Sequence, residues 1–244
     1  MNRNLTVEIK DIGKSYRGVK ILKDCSYVFE KGRMHALIGP NGSGKSTLLR
    51  ICGLIEIPDK GQITYYENNH AVEHTIELRR RISMVFSKDG LFNTTVFKNA
   101  SYGLKVRGTG FRARHGRVKE ILKTVGLWEK RKQSAKTLSA GEGQRLAIAR
   151  SLVIDPEIIF LDEPTASLDP ANTALIENII KKLIRDTHKT VIMATHNMFQ
   201  AQRLSDRIIF MHEGELYDEG LTDDFFERPK NEIAYQFLSG KLIY

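Results

Sequence analysis

The sequence predicts an α/β fold: a mostly parallel sheet with flanking helices, an N-terminal antiparallel β subdomain and an inserted helical subdomain. Three observations carry that prediction. Short apolar runs, MHALIG at 34–39, EIIFLDE at 157–163 and TVIMATH at 190–196, read as buried strands. They alternate with segments of helical spacing, TLLRICGLI at 47–55 and ALIENIIKKLIRDT at 174–187. Between those two groups, from about residue 89 to 155, the texture becomes basic and helical.

Taken in order, LTVEIKDIGKSY at 5–16 and ILKDCSYVFEKG at 21–32 place apolar residues at period two, and Lys31-Gly32 marks a turn. The helix begun at Thr47 stops near Pro58-Asp59-Lys60-Gly61, a run that cannot continue it. QITYYENN at 62–69 and RISMVF at 81–86 complete the N-terminal strands. FKNASYGLKV, RARHGRVKEILKTVGL and GEGQRLAIARSLV are the helices of the insertion, and RIIFMHEGEL at 207–216 starts a hairpin or edge strand. One domain over 1–244 is expected, with 1–88 and 156–244 as the core and about 89–155 as the insertion.

Composition narrows the class. No apolar run approaches the roughly 18 residues needed to span a bilayer, and MNRNLTVEIK has no apolar stretch of a secretory signal. Cys25 and Cys52 are far apart and lack metal-type spacing, so reduced, buried thiols are expected. The net charge is +9, and residues 104–136 hold 11 Lys+Arg against 2 Asp+Glu; the remainder is balanced, with 27 of each sign. A solvated helix face, an anionic membrane surface and nucleic acid are the three readings of that segment.

GPNGSGKST at 39–47 fits G-x-x-x-x-G-K-[ST] through Gly39, Gly44, Lys45 and Ser46, and it follows a strand and opens a helix. Glycines let backbone N–H groups converge on phosphate oxygens, and the helix N-terminus favours anions. Lys45 is expected on the β- and γ-phosphates and Ser46 on Mg²⁺, which makes the core a P-loop NTPase core. IIFLDEP delivers Asp162 and Glu163 to the sheet edge where such ligands bind. Asp162 is expected to hold Mg²⁺ through water, and Glu163 to polarise an attacking water as general base. His196, at the end of TVIMATH, reads either as a capping or solvent-facing side chain or as a contact to the γ-phosphate or the water.

The order GPNGSGKST, LSAGEGQR, IIFLDEPTASLD, ATH resembles the ATP-binding cassette family of transport ATPases, over nearly the whole chain. The resemblance implies an ATP site made of Tyr16 stacked on adenine and of Gly39, Pro40, Asn41, Gly42, Ser43, Gly44, Lys45, Ser46 and Thr47. It makes Ser139, Ala140, Gly141 and Glu142 a signature that contacts the γ-phosphate held by a second copy. It makes Ser167, Leu168 and Asp169 a loop between the two sites, and His196 a switch. A head-to-tail homodimer sandwiching two ATP molecules follows, on the cytoplasmic face of a membrane. The partners so implied are transmembrane permease subunits and an extracytoplasmic solute-binding protein, and no nucleic acid is expected.

Two departures stand out. LSAGE replaces the usual LSGGQ, so Ala140 must avoid positive φ and Glu142 must point away or pair with a base such as Arg145. The helix after this turn is expected from about Gly143. Ser87 stands where the family places Gln, so it reaches the metal only through water or loop movement. LFNTTVFKNASYGLKVRG and HNMFQAQRLSDRIIFMHEGEL most resemble the ATPases of tungstate or molybdate importers. Importers of phosphate or amino acids, and a soluble nucleic-acid-associated ATPase, are the alternatives.

Overall fold

A computed structural model describes residues 5–87, 90–166 and 168–242. β1 (Leu5–Tyr16) turns into β2 (Val19–Phe29) through Arg17 and Gly18, both at positive φ. Two consecutive positive φ values match the twist of the flanking strands. β3 (Met34–Ile38) is buried throughout, and α1 (Lys45–Cys52) follows it. β4 (Lys60–Glu67) pairs antiparallel with β1 and hands over at Asn68-Asn69 to β5 (His70–Val72), completing a sheet of order β2-β1-β4-β5.

α2 (Ile76–Arg79) is one turn capped by Thr75, and β6 (Ile82–Val85) follows. The insertion then contributes α3 (Val96–Val106), α4 (Phe111–Thr124) and α5 (Ala140–Val153). The chain returns to the sheet with β7 (Ile158–Asp162), α6 (Pro170–Thr187), β8 (Thr190–Thr195), α7 (Met198–Leu204), β9 (Arg207–His212) and β10 (Glu215–Leu221). α8 (Thr222–Glu227) and α9 (Glu232–Leu238) end it. The second sheet has the order β10-β9-β3-β8-β7-β6 and is parallel except for β10, which forms a hairpin with β9 through Glu213-Gly214 at positive φ.

The two faces of this sheet pack differently. On one face Leu37, Phe160, Ile192 and Ile209 meet Val7, Ile9 and Ile12 of the antiparallel sheet, with Leu48 and Ile51 of α1 among them. On the other, Ile38, Leu161, Val191 and Met193 meet Leu146 and Val153 of α5, Ile176 and Ile180 of α6, and Phe225 and Phe237. A sheet covered on both faces explains why its strands read as continuous apolar runs rather than alternating ones. Arg81 clamps the edge: its Nε and Nη2 donate to Glu157 at 2.6 and 3.1 Å, and Nη2 donates to Glu67 at 2.6 Å. Cys25 and Cys52 are buried free thiols, as expected, and burial pushes Cys25 up to about 11.

Six elements escaped the sequence reading: β5, α2, the helical turn Ala135–Thr137, α7, α8 and α9. None exceeds 7 residues, too short for a helical or strand period to rise above chance.

Candidate nucleotide site

Register sets the site. Ile38 pairs with Thr195 and Asp162 pairs with Ala194, so β3, β8 and β7 end side by side. The phosphate loop, Glu163 and His196 therefore emerge together at the carboxyl edge. Gly39 leaves β3 at φ +148, and a Cβ there would lie 1.9 Å from the Met211 carbonyl oxygen. Gly44 (φ +105) is the N-cap of α1 and is packed against Leu22 and Met211. Gly42 also has positive φ, +81, but a Cβ there would meet nothing within 4 Å.

Lys45 is buried, and its Nζ donates to the Gly39 and Pro40 carbonyls at 2.8 and 2.6 Å, with Ser43 Oγ at 3.5 Å. Its pKa is lowered by burial, against which the carboxylates of Glu163 and Asp162 act. A desolvated ammonium whose hydrogen-bond acceptors are all neutral oxygens is poised for a stronger, anionic partner. Asn41 is exposed at the loop's tip, while Thr47 is buried and accepts from Arg50 Nη2 at 3.1 Å. Ser46 Oγ donates to Asp162 Oδ1 at 2.7 Å, so the two oxygen groups expected at a metal are in contact.

Glu163 sits at φ +47, with its N–H on the Ala194 carbonyl at 2.9 Å. Its Oε1 accepts from the His196 backbone N–H at 3.0 Å and lies 2.9 Å from His196 Nδ1. A proton on Nδ1 satisfies that contact, which assigns the tautomer. Of the two readings of His196, the solvent-facing one agrees with the structure, where the side chain is exposed, and its ring also meets Glu163 Oε1. Beneath them lies a network that sequence reasoning missed. Buried Gln200 donates to Thr165 Oγ1 at 2.7 Å and accepts from Thr195 Oγ1 at 3.1 Å. Glu177, paired with Arg203 at 2.6 Å, lies behind Gln200. An isolated Gln in a short helix carries no sequence signal of that role.

Tyr16 ends β1, 39% exposed, with its hydroxyl on Glu56 and Lys14 Nζ 5.7 Å from its ring centroid. Glu56, held in turn by Arg50 Nε at 3.2 Å, was not singled out in the sequence. Ser87 is exposed just past β6 and forms no hydrogen bond with Ser46 or Asp162.

The signature segment forms no hydrogen bond with the phosphate loop among the described residues. Its helix starts at Ala140, three residues earlier than expected, because Ser139 caps it. Ser139 Oγ accepts from the Glu142 N–H at 3.3 Å, and Glu142 Oε2 accepts from the Ser139 N–H at 3.2 Å. This reciprocal pair is a capping box, and Ser-x-x-Glu was its legible signal. Glu142 pairs with Lys130 rather than Arg145, and that contact holds its carboxyl below the usual range. Ala140 is not among the positive-φ residues, so its methyl group introduces no backbone strain. Asp169 caps α6, accepting from the Asn172 N–H at 2.9 Å; Leu168 packs on the core, and Ser167 lies outside the described residues.

The donor set suits a magnesium nucleotide. Among the described residues no group of three or more His, Cys, Asp or Glu could hold a metal by itself. One hydroxyl and one carboxylate, with phosphates and waters completing the shell, is the usual protein share for Mg²⁺.

Residues 22–166 match the family described as ABC transporter. A probable anion import ATP-binding protein of Haloferax volcanii is 40% identical over 96% of this chain and 87% of its own. The tungstate uptake system ATP-binding protein TupC of Peptoclostridium acidaminophilum is 39% identical over 91% of this chain and 100% of its own. The arginine transport ATP-binding protein ArtM of Bacillus subtilis is 36% identical over 95% and 98%. Among solved structures, a dimeric ATP-binding cassette in a post-hydrolysis state bound to ADP and Pi superposes with a TM-score of 0.80 at 31% identity, covering 88% of this chain and 98% of that one. The chain belongs to the ABC transporter family, and its fold is that family's ATPase fold. It is the ATP-binding subunit type of that family, an ATPase whose described residues include no helix long and apolar enough to cross a membrane.

Proposed function

We propose that the chain powers import of an inorganic oxyanion, tungstate or a near relative, by ATP-driven closure of a head-to-tail homodimer on the cytoplasmic face of a membrane. The observation that carries the hydrolytic part is the row of contacts at the sheet edge. There Lys45 lies on the Pro40 carbonyl and Ser46 on Asp162; Lys45 and Ser46 would hold the phosphates and Mg²⁺, Asp162 would complete the metal's protein ligands, and Glu163 would serve as general base. Glu163 uses Oε1 on His196, and its Oε2 has no partner among the described residues, which leaves that oxygen for a water. Ser139 caps a helix N-terminus that has no hydrogen bond to the chain's own phosphate loop among the described residues, which supports completion of each site by a second copy. The anion and tungstate relatives support the solute class, and the arginine relative marks the competitor.

The test uses the complex with its permease. Tungstate-loaded binding protein is expected to raise ATPase turnover several-fold above the solute-free binding protein. Equal stimulation by arginine, or none by tungstate, would reject the solute assignment.

The basic segment is assigned to the anionic leaflet. Lys105, Arg112, Lys119 and Lys123 are exposed there, beside Phe111 at 67% exposure and Val106 at 63%. Each cation near such a surface contributes about 1 kcal/mol. Replacing Lys105, Arg112 and Lys123 with Gln is therefore expected to cut binding to phosphatidylglycerol vesicles by about two orders of magnitude, read by co-sedimentation. Equal binding to phosphatidylcholine vesicles would refute the assignment.

A further inference from the structure

The signature and the loop at Asp169 are separate motifs in the sequence, 30 positions apart. In the fold one side chain joins them. Asn172, in the first turn of α6, holds both oxygens of Asp169: its N–H donates to Oδ1 at 2.9 Å and its Nδ2 to Oδ2 at 2.6 Å. Its remaining group, Oδ1, accepts from Arg145 Nη1 at 3.0 Å. Arg145 lies one turn beyond Gly141 on α5. Both polar atoms of the amide are thereby engaged.

Gly141 completes the contact by what it lacks. A Cβ there would fall 2.4 Å from both Cγ and Oδ1 of Asn172 and 2.8 Å from Nδ2. Gly141 has no positive φ, so no backbone conformation demands glycine at this position. The Asn172 amide occupies the space a side chain would need, and close approach is the reason for the residue.

We infer that Asn172 is a positioning residue: it locks the N-terminus of α5, with Ser139, to the carboxylate of Asp169, so that both are presented to a second copy as one rigid edge. This inference rests on the head-to-tail reading above and adds the residue that keeps the two motifs in register. Without Asn172, Asp169 loses the donor on Oδ2 and Arg145 loses its acceptor. Each motif can then still form, but not at a fixed spacing.

The closing experiment works in a Glu163→Gln background, in which ATP-bound dimers accumulate. Dimer formation is followed by light scattering against ATP concentration, with affinity for a fluorescent ATP analogue measured on dilute monomer. Asn172→Ala is expected to raise the ATP concentration for half-maximal dimer about tenfold, leaving monomer affinity and thermal midpoint unchanged. Asn172→Asp, which keeps the acceptor for Arg145 but removes the donor to Asp169, is expected to do the same and serves if the alanine variant folds poorly. Gly141→Ala is expected to impair dimerisation too, and Asn172→Ala added to it should restore the level of Asn172→Ala alone, because the clash is gone. If Glu163→Gln itself stays monomeric in saturating ATP, the head-to-tail reading fails. If it dimerises and Asn172→Ala and Asn172→Asp leave its ATP dependence unchanged, the inference about Asn172 fails. A fall in monomer affinity and thermal midpoint matching the loss of dimer would make Asn172 merely structural and overturn the inference as well.

Discussion

Glu163→Gln is expected to lower steady-state ATP turnover by at least about 100-fold, the usual contribution of a positioned general base. The substitution is close to isosteric. A glutamine carbonyl can still accept from the His196 N–H and Nδ1 that now meet Glu163 Oε1, so the β7–β8 edge keeps its geometry. What disappears is the ability of the other oxygen to take a proton from water. ATP binding is untouched, because Lys45, Ser46 and Asp162 keep their contacts. Phosphate release and gel filtration with ATP check both halves: turnover collapses while a nucleotide-bound dimer accumulates. Wild-type turnover in the variant would remove Glu163 from its assigned role.

Gly39→Ala is expected to cost about 3 kcal/mol of stability, from a forbidden φ combined with overpacking. For a chain of this size that lowers the thermal midpoint by about 6 to 12 °C. The added methyl group would land on the Met211 carbonyl, a backbone atom of β9 that cannot rotate away. Either β3 or β9 must shift, and the phosphate loop that begins at Gly39 shifts with it. Gly42→Ala is the control: its φ is also positive, but the space around it is open, so only the conformational penalty of about 1 kcal/mol remains. Differential scanning fluorimetry separates the two. A midpoint for Gly39→Ala equal to that of Gly42→Ala would show that the contact with Met211 relaxes freely.

Most of the nucleotide site was legible because it is local. A phosphate loop needs its glycines, lysine and hydroxyl within nine consecutive residues, and a strand that ends in Asp162-Glu163 announces itself by its apolar run. The capping box at Ser139–Glu142 was equally local, yet Glu142 was read as a charge to be explained away rather than as half of a cap. Its partner could not be read at all: Lys130 is 12 residues distant, in the segment after α4 that is tied to the start of α3, and only the tertiary fold brings it to Glu142. The pairing of Glu163 with His196 is of the same kind, since the two residues end different strands.

By itself the sequence determined the α/β class, the parallel core with its antiparallel and helical additions, and which residues are the candidates for phosphate and metal. These follow from hydrophobic period and from turn chemistry, which act over a few residues. Tertiary structure alone decided which carboxylate oxygen of Glu163 is occupied, which base neutralises Glu142, and why Gly141 is glycine. Those outcomes depend on strand order and helix packing, which bring together side chains 12 to 33 residues apart at hydrogen-bond distance. No short-range pattern encodes such a meeting, because each partner is an ordinary polar residue until the fold places the other beside it.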